Sequence, residues 1–324
     1  MSGSKIIASA HYVPENIVTN DELAAFMPTN DAWIQSHTGI QTRHISLQGE
    51  NTSDLATKAA QMALAKSDLT AADLDLIIVS TITPDALTPA TAAIVQRNLQ
   101  ATNAWAYDIS TACAGFVFAM STADKFLQTG QYQHALVISA EVNSKMMDFT
   151  DRTSTVFFGD GAGAFIVSRT ADEDSQVKAE QLRTDGDADV IHSGFVAPLT
   201  HLSADNYPEV NAFFQDGRPV FEFATTTVPT HMKAFLADNA LTADDVDYFI
   251  LHQANLRIIE AIAGHLAQPM AKFRTNVEYY GNTSSAGIAM ALDELRSEVD
   301  LTGKRVILTG FGAGLSYGSL ILEF

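Results

Sequence analysis

Residues 111–120 read TACAGFVFAM, and residues 283–292 read TSSAGIAMAL. Each stretch brings an Ala-Gly pair to the start of an apolar helical pattern, and the two pairs lie 172 residues apart. Further out, LTAADLDLIIV at 69–79 matches LTADDVDYFIL at 241–251 with the same offset. Because both matches follow the same order along the chain, they predict two similar halves.

A third pair of segments extends this repeat. Leu136-Val137-Ile138 matches Ile307-Leu308-Thr309 at an offset of 171 residues. We therefore place the first half at 1–170 and the second half at 171–324. The polar, acidic stretch 169–189 spans this junction and is interpreted as a connection or surface insertion rather than core.

Short aliphatic runs alternate with longer helical patterns along the chain. The runs are continuous rather than alternating, which is typical of strands buried on both faces. Their alternation with helices predicts an α/β fold in which helices cover the sheets. The predicted strands include 76–79, 135–138, 164–167, 248–251, 306–308 and 320–322, and the predicted helices include 53–65, 114–127 and 285–299.

The composition limits the possible classes of function. Of the 324 residues, 47% are hydrophobic, which is enough for a large core and excludes a disordered chain. The formal net charge of −19 repels phosphate backbones and anionic lipid, so neither nucleic acid nor a membrane is expected as a partner. The first residues lack the apolar core of a signal peptide, and the longest charge-free run, 306–322, contains four glycines. A cytoplasmic location is therefore expected.

Cys113 is the only cysteine of the chain, which excludes an internal disulfide and a Cys-rich zinc site. It follows a predicted strand at 104–108 and begins the helical pattern at 114–127. At a helix N-terminus the unpaired N–H groups favour negative charge, so we expect a lowered thiol pKa and a nucleophilic thiolate. The alternative is that Cys113 is a small buried hydrophobic residue.

Three further segments carry residues suited to catalysis. His252 directly follows the apolar strand at 248–251, at the strand end where α/β sheets present their ligands. Asn282 precedes a helix, where a turn or capping role is the alternative. The run GFGAG at 310–314 follows another strand, and its glycines permit close backbone approach to a reacting oxygen. No helix follows this run, so it is not a dinucleotide-binding fingerprint.

Taken together, these segments resemble the β-ketoacyl-acyl-carrier-protein synthase III family, the initiating condensing enzymes of bacterial fatty-acid synthesis in the thiolase superfamily. The resemblance implies a thiolase-like five-layered αβαβα sandwich of two similar halves, a homodimer, and a reaction without a metal or redox cofactor. The matching stretches are DAWIQSHTGIQTRHIS (31–46), DISTACAGF (108–116), DRTSTVFFGDGAGA (151–164), LHQANLRII (251–259), YGNTS (280–284) and GFGAGLSYGS (310–319).

The resemblance also implies catalytic roles. Cys113 would be the nucleophile that accepts an acyl group from acyl-CoA. His252 and Asn282 would bind the malonyl thioester carbonyl and stabilise the enolate as carbon dioxide leaves. The enolate would then attack the acyl-cysteine and give a 3-oxoacyl-acyl-carrier protein. The backbone N–H groups of Cys113 and Ala313 would form the oxyanion hole of acyl transfer.

Substrate contacts are implied in the same way. Trp33 and Arg152 match contacts to the adenine and charged groups of coenzyme A, and Asn255 matches a pantetheine contact. His37 stands where many relatives have arginine, which suggests a weaker adenine clamp. Thr88 stands where a phenylalanine of the partner subunit often closes the acyl pocket, which suggests room for a primer other than acetyl.

The docking surface for malonyl-acyl-carrier protein has fewer basic residues than in many relatives. A frequent lysine is Glu222 here, and a Lys-Lys pair is Gly264-His265. We hypothesise that docking uses a residual basic patch, which consists of Arg257, Lys272 and Arg274.

Several alternatives remain open. Elongating synthases and hydroxymethylglutaryl-CoA synthases use other catalytic sets, and type III polyketide synthases are longer. A related acyl-CoA condensing enzyme or acyltransferase of secondary metabolism would fit the same motifs. A thioester hydrolase could use the same Cys-His-Asn set with histidine as general base. A non-enzymatic module that binds lipid or acyl-carrier protein is the third alternative.

Overall fold

The computed structural model describes residues 2–194 and 210–324, which form alternating strands and helices. The strands are β1 (Ser2–Tyr12), β2 (Ile17–Thr19), β3 (Thr42–His44), β4 (Leu76–Ser80), β5 (Trp105–Ile109), β6 (His134–Glu141), β7 (Gly161–Ala171), β8 (Val177–Thr184), β9 (Ile191–His192), β10 (Phe214–Gln215), β11 (Tyr248–Leu251), β12 (Arg305–Gly312) and β13 (Ser316–Glu323). The α-helices are α1 (Asn20–Leu23), α2 (Asp31–Thr38), α3 (Thr52–Ala65), α4 (Thr91–Leu99), α5 (Gly115–Gln128), α6 (Gly217–Glu222), α7 (Val228–Asp238), α8 (Leu256–His265), α9 (Val277–Tyr280) and α10 (Ala286–Glu298).

Two sheets with the same internal order form the frame. The first has the order β1-β7-β6-β4-β5, and the second has the order β8-β13-β12-β11. In the first sheet β4 is parallel to β6, whereas β7 is antiparallel to both β6 and β1. In the second sheet β11 is parallel to β12, whereas β13 is antiparallel to both β12 and β8. Strand order and strand direction therefore both repeat.

Helices form three layers around these sheets. Helices α5 and α10 pack between the two sheets, α3 and α4 cover the outer face of the first sheet, and α7 and α8 cover the second. On β4, Leu76 and Ile78 face the central core, whereas Ile77 and Val79 face the outer core. The strands are thus buried on both faces, as the continuous apolar runs predict.

The interpretation of the stretch 169–189 is wrong. Strand β7 continues to Ala171, and Val177–Thr184 forms β8, which pairs with β13 in the second sheet. As an edge strand, β8 keeps most of its side chains half-buried or exposed, so its composition is polar. A polar edge strand and a surface loop have similar sequences, and only pairing distinguishes them.

Strand ends bring the candidate residues to one place in the molecule. Strand β5 leads into a 3-10 turn at Ala112–Ala114 that contains Cys113, and β11 ends one residue before His252. Strand β12 ends at Gly312, directly before Ala313. In α/β sheets such strand ends are where ligands bind, because loops from neighbouring strands converge there.

Candidate active site

Cys113 lies in a strained turn between β5 and α5. The preceding residue, Ala112, has φ of 47°, in the left-handed region that non-glycine residues rarely adopt. Such a conformation typically costs about 1–3 kcal/mol and persists where the surrounding structure holds it. The N–H of Ala114 donates to the carbonyl of Thr111 at 3.2 Å and closes the turn. Cys113 therefore stands one turn ahead of α5.

The glycine run packs directly against this turn. A Cβ atom on Gly312 would lie 2.8 Å from the backbone nitrogen of Cys113 and 3.0 Å from its Cβ. A Cβ atom on Gly310 would lie 2.7 Å from the Cα of Ala114. Only glycine permits this approach, which is the one the run at 310–314 predicts. The backbone of Ala313 is thereby brought beside the Cys113 turn.

Ser284 joins Cys113 to Asn282. Its hydroxyl lies 3.3 Å from the Sγ of Cys113, and its backbone N–H donates to the Oδ1 of Asn282 at 2.8 Å. Because this bond occupies Oδ1, the amide NH₂ is the group that Asn282 can offer to a substrate oxygen. Ser284 itself has φ of 53°, a second strained residue at this place.

The backbone of Asn282 is fixed by the segment before β7. Its N–H donates to the carbonyl of Phe157 at 2.7 Å, and its carbonyl accepts the N–H of Gly159 at 3.1 Å. The side chain is buried, with 7% exposed. The alternative of an N-terminal cap is not what the structure has, because α10 begins at Ala286 and the Oδ1 of Asn282 binds Ser284.

His252 is a buried, neutral imidazole. Burial lowers its pKa to about 3, and the backbone of Ser284 offsets this only slightly. The ring meets Phe311 edge to face, with centroids 5.2 Å apart. Its Nδ1 is buried and makes no hydrogen bond with any residue in the described part of the chain. A neutral imidazole can donate one hydrogen bond to an oxygen without carrying charge.

The expected lowering of the Cys113 pKa is wrong. Burial raises the pKa of the thiol to about 12; the Ser284 hydroxyl lowers it, and the charge of Glu141 raises it further. The apolar surroundings penalise a thiolate more strongly than the start of α5 favours it. The resting side chain is therefore a neutral thiol.

A cavity of about 860 Å³ opens beside the nucleophile turn. Ala112 and Ala313, the neighbours of the two oxyanion-hole candidates, both line it. The wall combines apolar side chains with a few polar groups, as is usual for small-molecule sites. The apolar residues of its wall include Ile82, Leu87, Met146, Ile191 and Phe213.

Three of the four residues predicted to bind coenzyme A meet around one indole ring. The rings of Trp33 and His37 stack with centroids 4.3 Å apart, and the guanidinium of Arg152 lies 5.1 Å from the Trp33 ring. Arg152 also donates to the carbonyl of Pro28 at 2.8 Å. The alternative role of Arg152, an ion pair with Asp151, does not form, because the Asp151 carboxylate binds Thr153 and Ser154 instead.

Asn255 is the N-cap of α8. Its Oδ1 accepts the N–H of Arg257 at 2.8 Å, and its amide donates to the carbonyl of His37 at 3.2 Å. The fourth predicted coenzyme A residue therefore touches the others through His37.

The residual basic patch is engaged by internal partners. Arg257 pairs with Glu260 and donates to the carbonyls of Gln35 and Ser36 near the end of α2. Arg274 forms a two-pronged pair with Glu298 at 2.7 Å. Lys272 donates to the carbonyls of Ala243 and Asp244. Much of the positive charge of Arg257 and Arg274 is thus balanced within the chain.

Thr88 lies on an exposed loop and does not line the cavity of its own chain. Over the described ranges, no group of three or more His, Cys, Asp or Glu side chains is arranged to hold a metal ion. Nor does any helix of those ranges have the length and apolar character needed to cross a membrane.

Comparisons with known proteins agree along the whole chain. Family models of 3-oxoacyl-(acyl-carrier-protein) synthase III and of its C-terminal region match residues 107–186 and 236–324. The β-ketoacyl-acyl-carrier-protein synthase III 1 of Lactiplantibacillus plantarum is 59% identical over 322 residues, which cover 99% of this chain and 98% of that protein. The chain belongs to the β-ketoacyl-acyl-carrier-protein synthase III family.

Two further synthase III proteins support this membership. That of Lactococcus lactis subsp. lactis is 46% identical over 327 residues and covers 100% of both chains. The crystal structure of the Aquifex aeolicus synthase III superposes with a TM-score of 0.90 at 37% identity, over 99% of this chain and 100% of that one. The predicted thiolase-like five-layered fold of two similar halves is therefore confirmed.

Sequence reasoning missed the supports of this synthase III site. Ser284 is a small polar residue in a turn, and Phe311 is an aromatic residue between two glycines, so neither carries a signal of its own. Glu141 did carry one, because a carboxylate ending the apolar strand VISAE has to find buried partners. Its carboxylate is fully buried within this region.

Proposed function

We propose that this chain condenses an acyl group from acyl-CoA with malonyl-acyl-carrier protein, with loss of carbon dioxide, to start fatty-acid synthesis. The observation that carries the proposal is the connection made by Ser284. Its hydroxyl contacts the Cys113 thiol of the first half, and its N–H holds the amide of Asn282. Its backbone also lies beside His252. A nucleophile and two neutral donors thus converge on one point.

In the first step Cys113 attacks the thioester carbonyl of acyl-CoA. A bond forms between Sγ and the carbonyl carbon, the bond to the sulfur of coenzyme A breaks, and the thiol proton leaves with coenzyme A. The oxyanion that forms in between would be bound by the N–H groups of Cys113 and Ala313. These two N–H groups belong to the backbone segments that Gly312 allows to touch.

In the second step the malonyl group loses carbon dioxide. The electron pair of the breaking C–C bond passes into the enolate, whose negative charge collects on the thioester oxygen. The imidazole of His252 and the amide NH₂ of Asn282 would donate to that oxygen in a site that excludes water. The enolate carbon then attacks the acyl-cysteine, the Cys113 thiolate leaves, and a 3-oxoacyl-acyl-carrier protein results.

Trp33, His37, Arg152 and Asn255 are proposed to bind coenzyme A. The stacked Trp33 offers its indole to adenine, and Arg152, held over the ring at 5.1 Å, offers a cation to phosphate. His37 supports the indole by stacking on it, so the position where relatives have arginine still contributes to the clamp. No metal or redox cofactor enters any step of this proposal.

Carrier docking is proposed to use Arg257, Lys272 and Arg274. Two of them pair with Glu260 and Glu298 on the surface, and exposed pairs of this kind are weak. An acidic carrier protein could therefore exchange for these partners without large loss.

A homodimer is proposed through the β5 edge of the first sheet. Strand β5 ends the strand order of that sheet, and Trp105 on it is 37% exposed. The neighbouring loop exposes 87% of Leu87 and carries Thr88, the residue proposed to face the acyl pocket of the other subunit. Exposed apolar groups beside an unpaired strand edge are typical of a surface that another chain covers.

The division of the halves at 1–170 and 171–324 also remains a proposal. It is supported by the end of β7 at Ala171 and the start of β8 at Val177, where the chain passes from the first sheet to the second.

Product analysis tests the proposed function. The protein is incubated with acetyl-CoA or a longer acyl-CoA and with malonyl-acyl-carrier protein. Carbon dioxide and a 3-oxoacyl-carrier protein are expected, together with an acyl adduct on Cys113 by mass spectrometry. Release of free carboxylic acid without carbon dioxide would identify a thioester hydrolase instead. Carrier or lipid binding that survives iodoacetamide labelling, without any product, would identify a binding module.

A further inference from the structure

Glu141 is a fully buried carboxylate at the end of β6 that the proposed reaction does not use. It accepts hydrogen bonds from the hydroxyls of Thr81 and Thr83 at 3.1 and 2.6 Å, and from the N–H groups of Ile82 and Thr83, both at 3.1 Å. It also accepts the hydroxyl of Ser285 at 2.9 Å. Four of these contacts come from the first half of the chain, and the fifth comes from the second.

The contacts fit an ionised carboxylate. The Oγ1 of Thr81 already accepts the N–H of Thr83 at 3.1 Å, and the Oγ1 of Thr83 accepts the N–H of Val142 at 2.9 Å. Both threonine hydroxyls therefore have their hydrogens free for Glu141. Because the two N–H contacts are donors as well, a protonated carboxyl would direct its own hydrogen at a donor.

The two ends of this network are functional segments. Residues 81–83 form part of the wall of the cavity beside the nucleophile turn. Ser285 follows Ser284, which contacts the Cys113 thiol and orients Asn282. We propose that Glu141 is a positioning residue that holds the loop Asn282–Ser285 of the second half in register with Cys113 of the first half. The activity readouts of this inference rest on the proposed function.

The two steps of the reaction depend on this register to different degrees. Acylation uses Cys113 and backbone N–H groups on the α5 side of the site, which Gly312 contacts directly. Decarboxylation needs Asn282, whose loop reaches the first half through the Ser285 bond to Glu141. A misplacement of about 1 Å can lower a rate by about 100-fold. Loss of the Glu141 contacts is therefore expected to affect decarboxylation more than acylation.

The first experiment compares Glu141→Gln with wild type in two assays. Acyl-Cys113 formation from acetyl-CoA is followed by mass spectrometry, and carbon dioxide release from malonyl-acyl-carrier protein is followed separately. Glutamine keeps the size of glutamate but turns one acceptor into a donor facing donors. We expect carbon dioxide release to fall by about 100-fold while acylation keeps most of its rate.

A second readout needs no acyl chemistry. The titratable groups that face the Glu141 carboxylate are the Cys113 thiol and the Lys145 ammonium. Because the carboxylate charge raises the pKa of the Cys113 thiol, Glu141→Gln is expected to shift the pH dependence of iodoacetamide labelling to lower pH. Glu141→Asp keeps the charge but is one methylene shorter. It should keep the wild-type labelling profile and still lose carbon dioxide release.

Two further variants complete the test. Ser285→Ala removes only the link to the second half, so it should reproduce the selective loss, and it carries the test if Glu141→Gln unfolds. Asp124→Asn is the matched control, because Asp124 is another buried carboxylate that accepts a serine hydroxyl, that of Ser4 at 2.7 Å, away from the site. It should leave both steps unchanged.

Three results decide the outcome. Equal loss of both steps in Glu141→Gln, or the same selective loss in Asp124→Asn, overturns the positioning role. A selective loss confined to Glu141 and Ser285 variants supports it. A wild-type protein that forms no carbon dioxide overturns the proposed function instead, and the labelling profiles of Glu141→Gln and Glu141→Asp then decide whether Glu141 acts on Cys113.

Discussion

At the scale of single residues, burial sets the protonation state from which the proposed reaction starts. It raises the pKa of the Cys113 thiol to about 12 and lowers the pKa of His252 to about 3. Near pH 7 the site therefore holds a thiol and a neutral imidazole rather than a thiolate–imidazolium pair. We infer that the thiol loses its proton only as acyl-CoA reacts, and that His252 acts as a donor rather than as a cation.

The first prediction concerns the reactivity of the Cys113 thiol. Iodoacetamide labelling of the wild-type protein should keep rising with pH from about 7 to about 10, because only the thiolate reacts and its fraction grows throughout this range. Stopped labelling followed by intact mass measurement gives the rates. A free cysteine in a peptide serves as reference and should level off near pH 9. A plateau for Cys113 below that of the peptide would contradict the raised pKa.

The second prediction separates the two steps. Cys113→Ala should form no acyl adduct, whereas His252→Ala and Asn282→Ala should still be acylated. The latter two should lose carbon dioxide release by about 100- to 1000-fold, the usual effect of removing one oxyanion donor. Adduct formation and carbon dioxide release are measured on the same samples.

His265→Ala and Asn103→Ala are controls for the second prediction, since both side chains are exposed. They should retain both steps. Normal labelling of Cys113→Ala would refute the assignment of the nucleophile.

At the scale of elements, the contact between β12 and the Cys113 turn gives the third prediction. Gly312→Ala should lower both stability and acylation, because its Cβ would lie 2.8 Å from the Cys113 nitrogen and would displace that turn. Gly264→Ala is the matched control, since a Cβ there meets no atom within 4 Å and the residue lies in α8. It should be neutral or stabilising by about 0.5–1 kcal/mol. Urea unfolding and adduct formation measure the two effects.

The elements themselves were largely predictable from the sequence. The helices expected at 53–65, 114–127 and 285–299 begin and end within one residue of α3, α5 and α10. Their patterns are strong because apolar residues dominate whole turns and glycine or a strand follows. Strand β8 was not predictable, since the polar sequence of an edge strand is decided by pairing with β13 and not by its own pattern.

The site was predictable in its motif-bearing residues but not in their supports. Cys113, His252 and Asn282 stand in segments that match a known family, and the strand ends bring them together. Ser284 and Glu141 act through contacts between residues distant in sequence, such as the Ser285–Glu141 bond across 144 positions. Local patterns contain no information about such pairs, and the same is true of the burial that reverses the expected shift of the Cys113 pKa.

At the scale of the whole molecule, buried neutral histidines tie the fold to pH, which gives the fourth prediction. Burial lowers the pKa of His252 to about 3 and that of His231 to about 4. Between these values and the ordinary pKa of about 6.5, the unfolded chain binds protons that the folded chain does not. Stability should therefore rise with pH across this window and fall as the pH is lowered from about 6.5 towards 4.

Urea unfolding at pH 7, 6 and 5 measures this dependence. His231→Phe should make it shallower, because phenylalanine can still pack against Tyr317 and Phe235 but does not titrate in the unfolded chain. An unchanged dependence in His231→Phe would mean that His231 is not a contributor.

The offset of 172 residues that relates the two halves sets Cys113 against Ser285. Both precede a central helix, α5 in one case and α10 in the other. One copy of this position holds the proposed nucleophile, and in the other the hydroxyl binds a carboxylate of the opposite half. We infer a division of labour after duplication of an ancestral unit: one descendant kept the reactive position, and the other became its scaffold. Neither half by itself holds a complete catalytic centre, so the two must evolve together.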